Sequence, residues 1–196
     1  MSNRHIKFLV DQTYTPKSLY DSIRKVGDLS AGFCRSWLSN EIADALATSE
    51  EAFQLLDHIQ NELLRHRDEK AKQPNWANSP FKLALDARVG DLVDPATPSD
   101  ESFFSSLSPE QGALPAGTTP TALTLEKALN KLKHRSTTKV KFTIAHSGSH
   151  TLFIFANAGM GNQNTISKFK IEDFCKACKA AVATISNQTD HFIGPV

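Results

Sequence analysis

Seven prolines fall between Lys70 and Pro120, at positions 74, 80, 95, 98, 109, 115 and 120, and no other feature constrains the fold of this chain more. Inside a helix, a proline removes a backbone hydrogen bond and collides with the preceding turn. Long helices are therefore confined to the stretches before Lys70 and after Pro120. The chain has 196 residues, enough for one domain with a sizeable core, and the proline-rich middle divides it into two unlike halves.

The first half reads as helical. Leu38, Ile42, Ala45 and Leu46 recur at helical spacing, which predicts a helix opening at about Cys34. A second is expected from about Glu50 to His66, with Thr48 and Glu51 at capping-box spacing and Phe53, Leu56, Ile59 and Leu63 as its apolar stripe. The string "DPATPSDESFFSSLSPEQGALPAGTTP" is rich in Ser, Thr, Pro and Gly and predicts a Pro/Ser-rich loop at about 88–120. Beyond it, Leu125, Leu129 and Leu132 mark a short helix. "KVKFTIA" alternates as a half-buried strand does, and "HTLFIFA" is an almost continuous apolar run suited to a strand covered on both faces. Gly159 and Gly161 turn the chain, "TISKFKI" reads as another strand, and "EDFCKACKAAVATI" closes as a helix. The expected architecture is α+β, one domain over 1–196, with N-terminal helices packed on a C-terminal antiparallel sheet and a closing helix.

Charge excludes some functions. The 22 basic residues nearly cancel the 21 acidic ones, which argues against a broadly basic nucleic-acid surface. The one basic cluster, "KLKHRSTTKVK", is split between a helix end and a strand and reads as a solvated face. No apolar run reaches the ~18 residues of a membrane span, and "MSNRHIKFLVDQTY" is too short in apolar residues for a secretory signal. The expectation is a cytoplasmic protein with reduced thiols, or one exported without a cleaved signal peptide. Cys175 and Cys178 are spaced C-x-x-C but also fall on the apolar face of the last helix, and no second pair completes a zinc site. No metal or other cofactor is expected.

One constellation invites chemistry. Cys34, at the expected helix start in "LSAGFCRSWLSNEI", would feel the positive end of the helix dipole, which favours thiolate. Gly32 would let a substrate carbonyl approach, and Trp37 would anchor the helix. A base is also required. His146 and His150 bracket the tight "SGS" turn, and His150, opening the apolar strand, is the preferred one. An asparagine can orient such a histidine; Asn164 fits a hairpin return better than Asn157. The plainer reading of Cys34 is a small buried residue that packs its helix on the sheet.

The strings "GFCRSWL" and "SGSHTLFIF", in that order, resemble the YopT-like cysteine proteases, papain-like enzymes that bacteria deliver through type III secretion. The resemblance implies a papain-like fold and a secreted virulence effector acting as a thiol protease. In it Cys34 would be nucleophile, His150 base and then acid, and Asn164 or Asn157 the orienting residue, acting on a protein substrate. The sequence departs from that family in lacking an F-D-P-N stretch after His150 and in carrying Asp28 where an oxyanion donor is expected. Those departures support a second expectation, a catalytically inactive interaction or immunity-type protein that binds a partner.

Overall fold

The computed structural model describes residues 15–157 and 163–189. Among these residues, six helices and a five-stranded antiparallel sheet make an α+β fold. The helices are α1 (Thr15–Leu38), α2 (Ile42–Lys70), α3 (Pro80–Leu85), α4 (Pro98–Ser106), α5 (Leu125–Lys133) and α6 (Ile171–Thr189). The strands are β1 (Arg88–Val93), β2 (Thr121–Thr124), β3 (Arg135–Ile144), β4 (His150–Ala156) and β5 (Thr165–Lys170), ordered β2-β1-β5-β4-β3. The turn expected around Gly159 and Gly161 lies outside the described residues.

The first helix corrects the sequence reading. α1 begins 19 residues before Cys34, and Cys34 sits in its last turns. Gly27 and Gly32 each cost a helix about 1 kcal/mol relative to alanine, so the local sequence reads as a break. The stripe Leu19, Ile23, Val26 and Phe33, all buried, overrides that local preference by packing the helix on the core. The real break is at Asn40, which takes φ 61°. The Glu41 N–H donates to Ser36 O at 2.8 Å and the Asn40 N–H to Trp37 O at 3.0 Å, the two bonds of a Schellman close with asparagine in the left-handed position. Thr48 and Glu51 then lie inside α2 and cap nothing.

The proline-rich middle is likewise not one loop. Residues 88–120 contain β1 and α4, and Pro98 serves as a helix starter. Thr97 and Asp100 form a reciprocal capping box, the Thr97 N–H donating to Asp100 Oδ2 at 2.8 Å.

α4 explains the apolar β4. Leu152 and Ile154 belong to the main core, together with Leu63, Leu129 and Phe174, while Phe153 and Phe155 belong to the cluster on the opposite side, with Phe104 of α4. The sheet is covered on both faces at this strand, as its continuous apolar run requires.

β3 and β4 form a hairpin whose register pairs Ile144 with His150. The Ala145 N–H donates to Ser149 O at 3.0 Å and the Gly148 N–H to Ala145 O at 2.8 Å, with Gly148 at φ 80°. This turn fixes His150 at one end of the sheet, while β5 runs back antiparallel to β4, pairs Lys170 with Thr151, and so delivers the start of α6 to the same end.

Candidate active site

His150 enters the site from the first residue of β4, half-buried. Its ring stacks on Phe33 with centroids 5.0 Å apart and planes 16° apart, and meets the edge of Phe142 at 5.9 Å. Burial among these rings pushes its pKa down to about 4, so the imidazole is neutral through the physiological range. Its Nδ1 lies 2.9 Å from Ser30 Oγ on α1.

Ser30 occupies a position in the buried stripe of α1, between Val26 and Phe33, where an apolar residue would be the simpler choice. A helical serine commonly turns its hydroxyl back to a carbonyl of the preceding turn. Here it bonds across to the imidazole instead.

The pair opens on a cleft of about 490 Å3 between α1, the β3–β4 turn and the first turns of α6. Gly27 and Ala31 keep the α1 wall low, and Gly148 and Ser149 form the rim beside His150. α6 contributes Ile171 and Glu172 at its positive end, then Cys175, Lys176 and Lys179.

Cys34 stands four residues beyond Ser30, about 6 Å further along the same face of α1. It is 6 % exposed and packs with Phe33 and Ala45, beneath Trp37 and Phe142. Burial pushes its pKa up. The negative end of the helix dipole, opposite to the expected positive one, also opposes a thiolate there. Among the described residues no hydrogen bond joins it to His150, whose Nδ1 is bonded to Ser30. Cys34 therefore occupies the structural position of a packing residue. Trp37 does anchor the helix, stacked on Phe33 at 6.0 Å and edge-on to Phe142 at 4.9 Å. Gly32 faces Thr48 of α2, not the cleft, and Asp28 is exposed on α1.

The asparagines lie at the other end of the sheet. β4 runs unbroken from His150 to Ala156, so Asn157 is seven residues, about 23 Å, from the imidazole. Asn164 precedes β5 at that same far end, where Ala156 pairs with Thr165. Its carbonyl accepts from the Ala96 N–H at 2.7 Å and its side chain donates to Glu101 Oε2 at 3.2 Å, which ties it to α4. Neither reaches His150. β5 does return antiparallel to β4, but the seven-residue length of β4 puts Asn157 and Asn164 at the end of the sheet away from His150. His146 is exposed in the turn.

Burial also raises the other two thiols, Cys175 to about 11 and Cys178 well above the ordinary value. Cys178 is fully buried in the main core, and Cys175 belongs to the same core at the edge of the cleft. Among the described residues, no group of three or more His, Cys, Asp or Glu side chains could hold a metal ion, and no helix is long and apolar enough to cross a membrane.

No family model matches the chain, and no curated protein or solved structure is similar to it.

Proposed function

We propose that the protein is a hydrolase or acyl transferase centred on His150, with α1 supplying the nucleophile from Ser30. The observation that carries this reading is the 2.9 Å contact between Ser30 Oγ and His150 Nδ1 at the wall of an open cleft. A neutral imidazole bonded to a hydroxyl is the arrangement a base needs to take the hydroxyl proton. In the proposed step Ser30 Oγ bonds to the substrate carbonyl carbon while its proton passes to Nδ1. The tetrahedral intermediate collapses as that proton goes to the leaving group, and water, deprotonated by the same ring, then releases the acyl group from Ser30.

The cysteine form of the same activity, a YopT-like protease of papain-like fold delivered as an effector, keeps His150 as base and puts Cys34 in place of Ser30. Its support is the order of the two sequence motifs. Peptide-resolved mass spectrometry after exposure to p-nitrophenyl acetate separates the two forms. The serine form predicts an acyl group on Ser30 that is absent in Ser30→Ala, retained in Cys34→Ala, and formed about 10²–10⁴-fold more slowly in His150→Gln. Acylation of Cys34 would transfer the reading to the thiol form, and no acylation of α1 would end both.

One observation favours the non-catalytic reading, a protein that binds a partner. Leu38 at the end of α1 and Ile42 and Leu46 in the first turns of α2 are 70 %, 40 % and 57 % exposed. Large apolar side chains exposed this close together in the chain are a common feature of docking surfaces.

A further inference from the structure

The cleft has two chemically distinct ends. α1 and α6 run past each other in opposite directions along it: Ser30 and Glu172 lie beside His150, whereas Arg24 and Lys179 lie toward the other end. The far end is basic. Arg24, Lys176 and Lys179 line it, and Glu172 is the one carboxylate on the cleft wall. Among the described residues no carboxylate comes within 4.0 Å of Lys176 or Lys179, and Arg24 has only the distant, exposed Asp21 at 3.9 Å. Lys179 is positioned over the Tyr20 ring, 5.7 Å from its centroid, which holds its charge at the cleft edge.

These cations are therefore not consumed by the fold, and they are set at a measurable distance from the reacting hydroxyl. Arg24 and Ser30 are six residues apart on one helix, which is about 9 Å along its axis. An extended peptide covers that span in about three residues.

We propose that the cleft takes acidic peptides: an acidic side chain two to three residues from the reacting carbonyl docks on Arg24, Lys176 and Lys179 while that carbonyl lies against Ser30 and His150. This assignment rests on the proposed acyl-transfer reading for its reacting end, but the docking of the acidic side chain does not require turnover. Glu172, next to the reacting end, would in turn repel an acidic residue placed adjacent to the carbonyl, which sets the spacing as well as the sign.

The test uses the full chain and two sets of synthetic peptides, N-acetylated and C-amidated, identical except for Glu, Gln or Lys at the third position from one alanine. Calorimetric titration at low ionic strength measures binding, and the p-nitrophenyl esters ending in that alanine measure turnover. The expected result is binding of the Glu peptide about tenfold tighter than the Gln peptide and weakest binding of the Lys peptide, with the difference shrinking as salt rises. In Lys176→Glu/Lys179→Glu the preference should fall or reverse, and in the milder Lys176→Gln and Arg24→Gln it should fall while the unfolding transition stays where it was, because Arg24 and Lys176 are exposed. Equal binding of the three peptides, or a preference that survives the double charge reversal, would overturn the assignment. Selective binding with no turnover of any ester leaves the acidic-peptide site in place and removes the acyl-transfer reading. Turnover without charge preference does the reverse.

Discussion

Lowering the pH from 7 to 4 perturbs His150 directly. Its ring is held between Phe33 and Phe142, and burial depresses its pKa from the ordinary 6.5 to about 4. In the unfolded chain the ring takes up its proton near 6.5; in the folded chain it resists until about 4. Between those values the unfolded state binds more protons, so stability rises with pH across that window. The contribution is fully present above pH 6.5 and is lost as the pH falls to 4. At 1.36 kcal/mol per tenfold change in proton activity, the gap amounts to about 3 kcal/mol, a large share of the ~5–15 kcal/mol that holds a domain folded. Urea unfolding followed by circular dichroism at intervals from pH 7 to 4 reads this loss. The matched control is His150→Gln, which keeps a hydrogen-bonding partner for Ser30 but cannot titrate. His66, also depressed chiefly by burial, contributes the same slope to both proteins and cancels in their difference. Wild type should lose about 3 kcal/mol more than the variant over this range. Parallel curves would refute the claim that folding buries the imidazole and depresses its pKa.

Two further predictions concern the thiols and the sheet. Burial raises Cys34, Cys175 and Cys178 alike, so iodoacetamide at pH 7.5 should modify all three far more slowly than free cysteine, with protection lost in denaturant. Mass spectrometry of the alkylated peptides reads the rates, and rapid selective labelling of Cys34 in the native protein would contradict its place as a packing residue. Gly90 sits at the register irregularity between β1 and β2, and a Cβ there would stand 2.0 Å from the Lys168 carbonyl oxygen. Since backbone must shift to admit it, Gly90→Ala should cost about 3 kcal/mol or more in chemical denaturation; a cost below about 0.5 kcal/mol would show that β1 is not seated against β5.

The β half was the more legible in the sequence because its signals are local. The alternation of "KVKFTIA" and the unbroken "HTLFIFA" each specify a strand, and the second also requires cover on both faces. What supplies that cover was hidden, since α4 lies in a segment whose Pro, Ser and Thr content resembles a loop. Its start is nonetheless written in "TPSD", a threonine cap, an N-terminal proline and a returning aspartate. α1 was misread for the opposite reason. Two interior glycines mimic a break, and only the spacing of Leu19, Ile23, Val26 and Phe33 across them betrays a helix held by tertiary packing.

The candidate site follows the same division. The place of His150 was legible because a strand start after a tight turn is a local pattern, and the structure puts it at the first residue of β4. The contact of Ser30 with its ring was not legible because the signal is relational: Ser30 is the polar member of an apolar stripe, visible only once α1 is extended back to Thr15. Asn157 and Asn164 were attached to His150 on the assumption of a short hairpin, and the seven-residue length of β4 carries both away.

The pairing of His150 with Ser30 is the claim on which the functional account turns, and long-range proton–nitrogen correlation NMR of the imidazole tests it most directly. Spectra of selectively nitrogen-labelled protein, assigned with His150→Gln, report both which ring nitrogen carries the proton and the pH at which the second one binds. The account predicts a neutral ring with the proton on Nε2, Nδ1 free to accept from the Ser30 hydroxyl, and titration near pH 4. A proton resident on Nδ1 would leave that nitrogen unable to take the Ser30 proton and would contradict the proposed base; titration near the ordinary 6.5 would contradict the burial of the ring between Phe33 and Phe142.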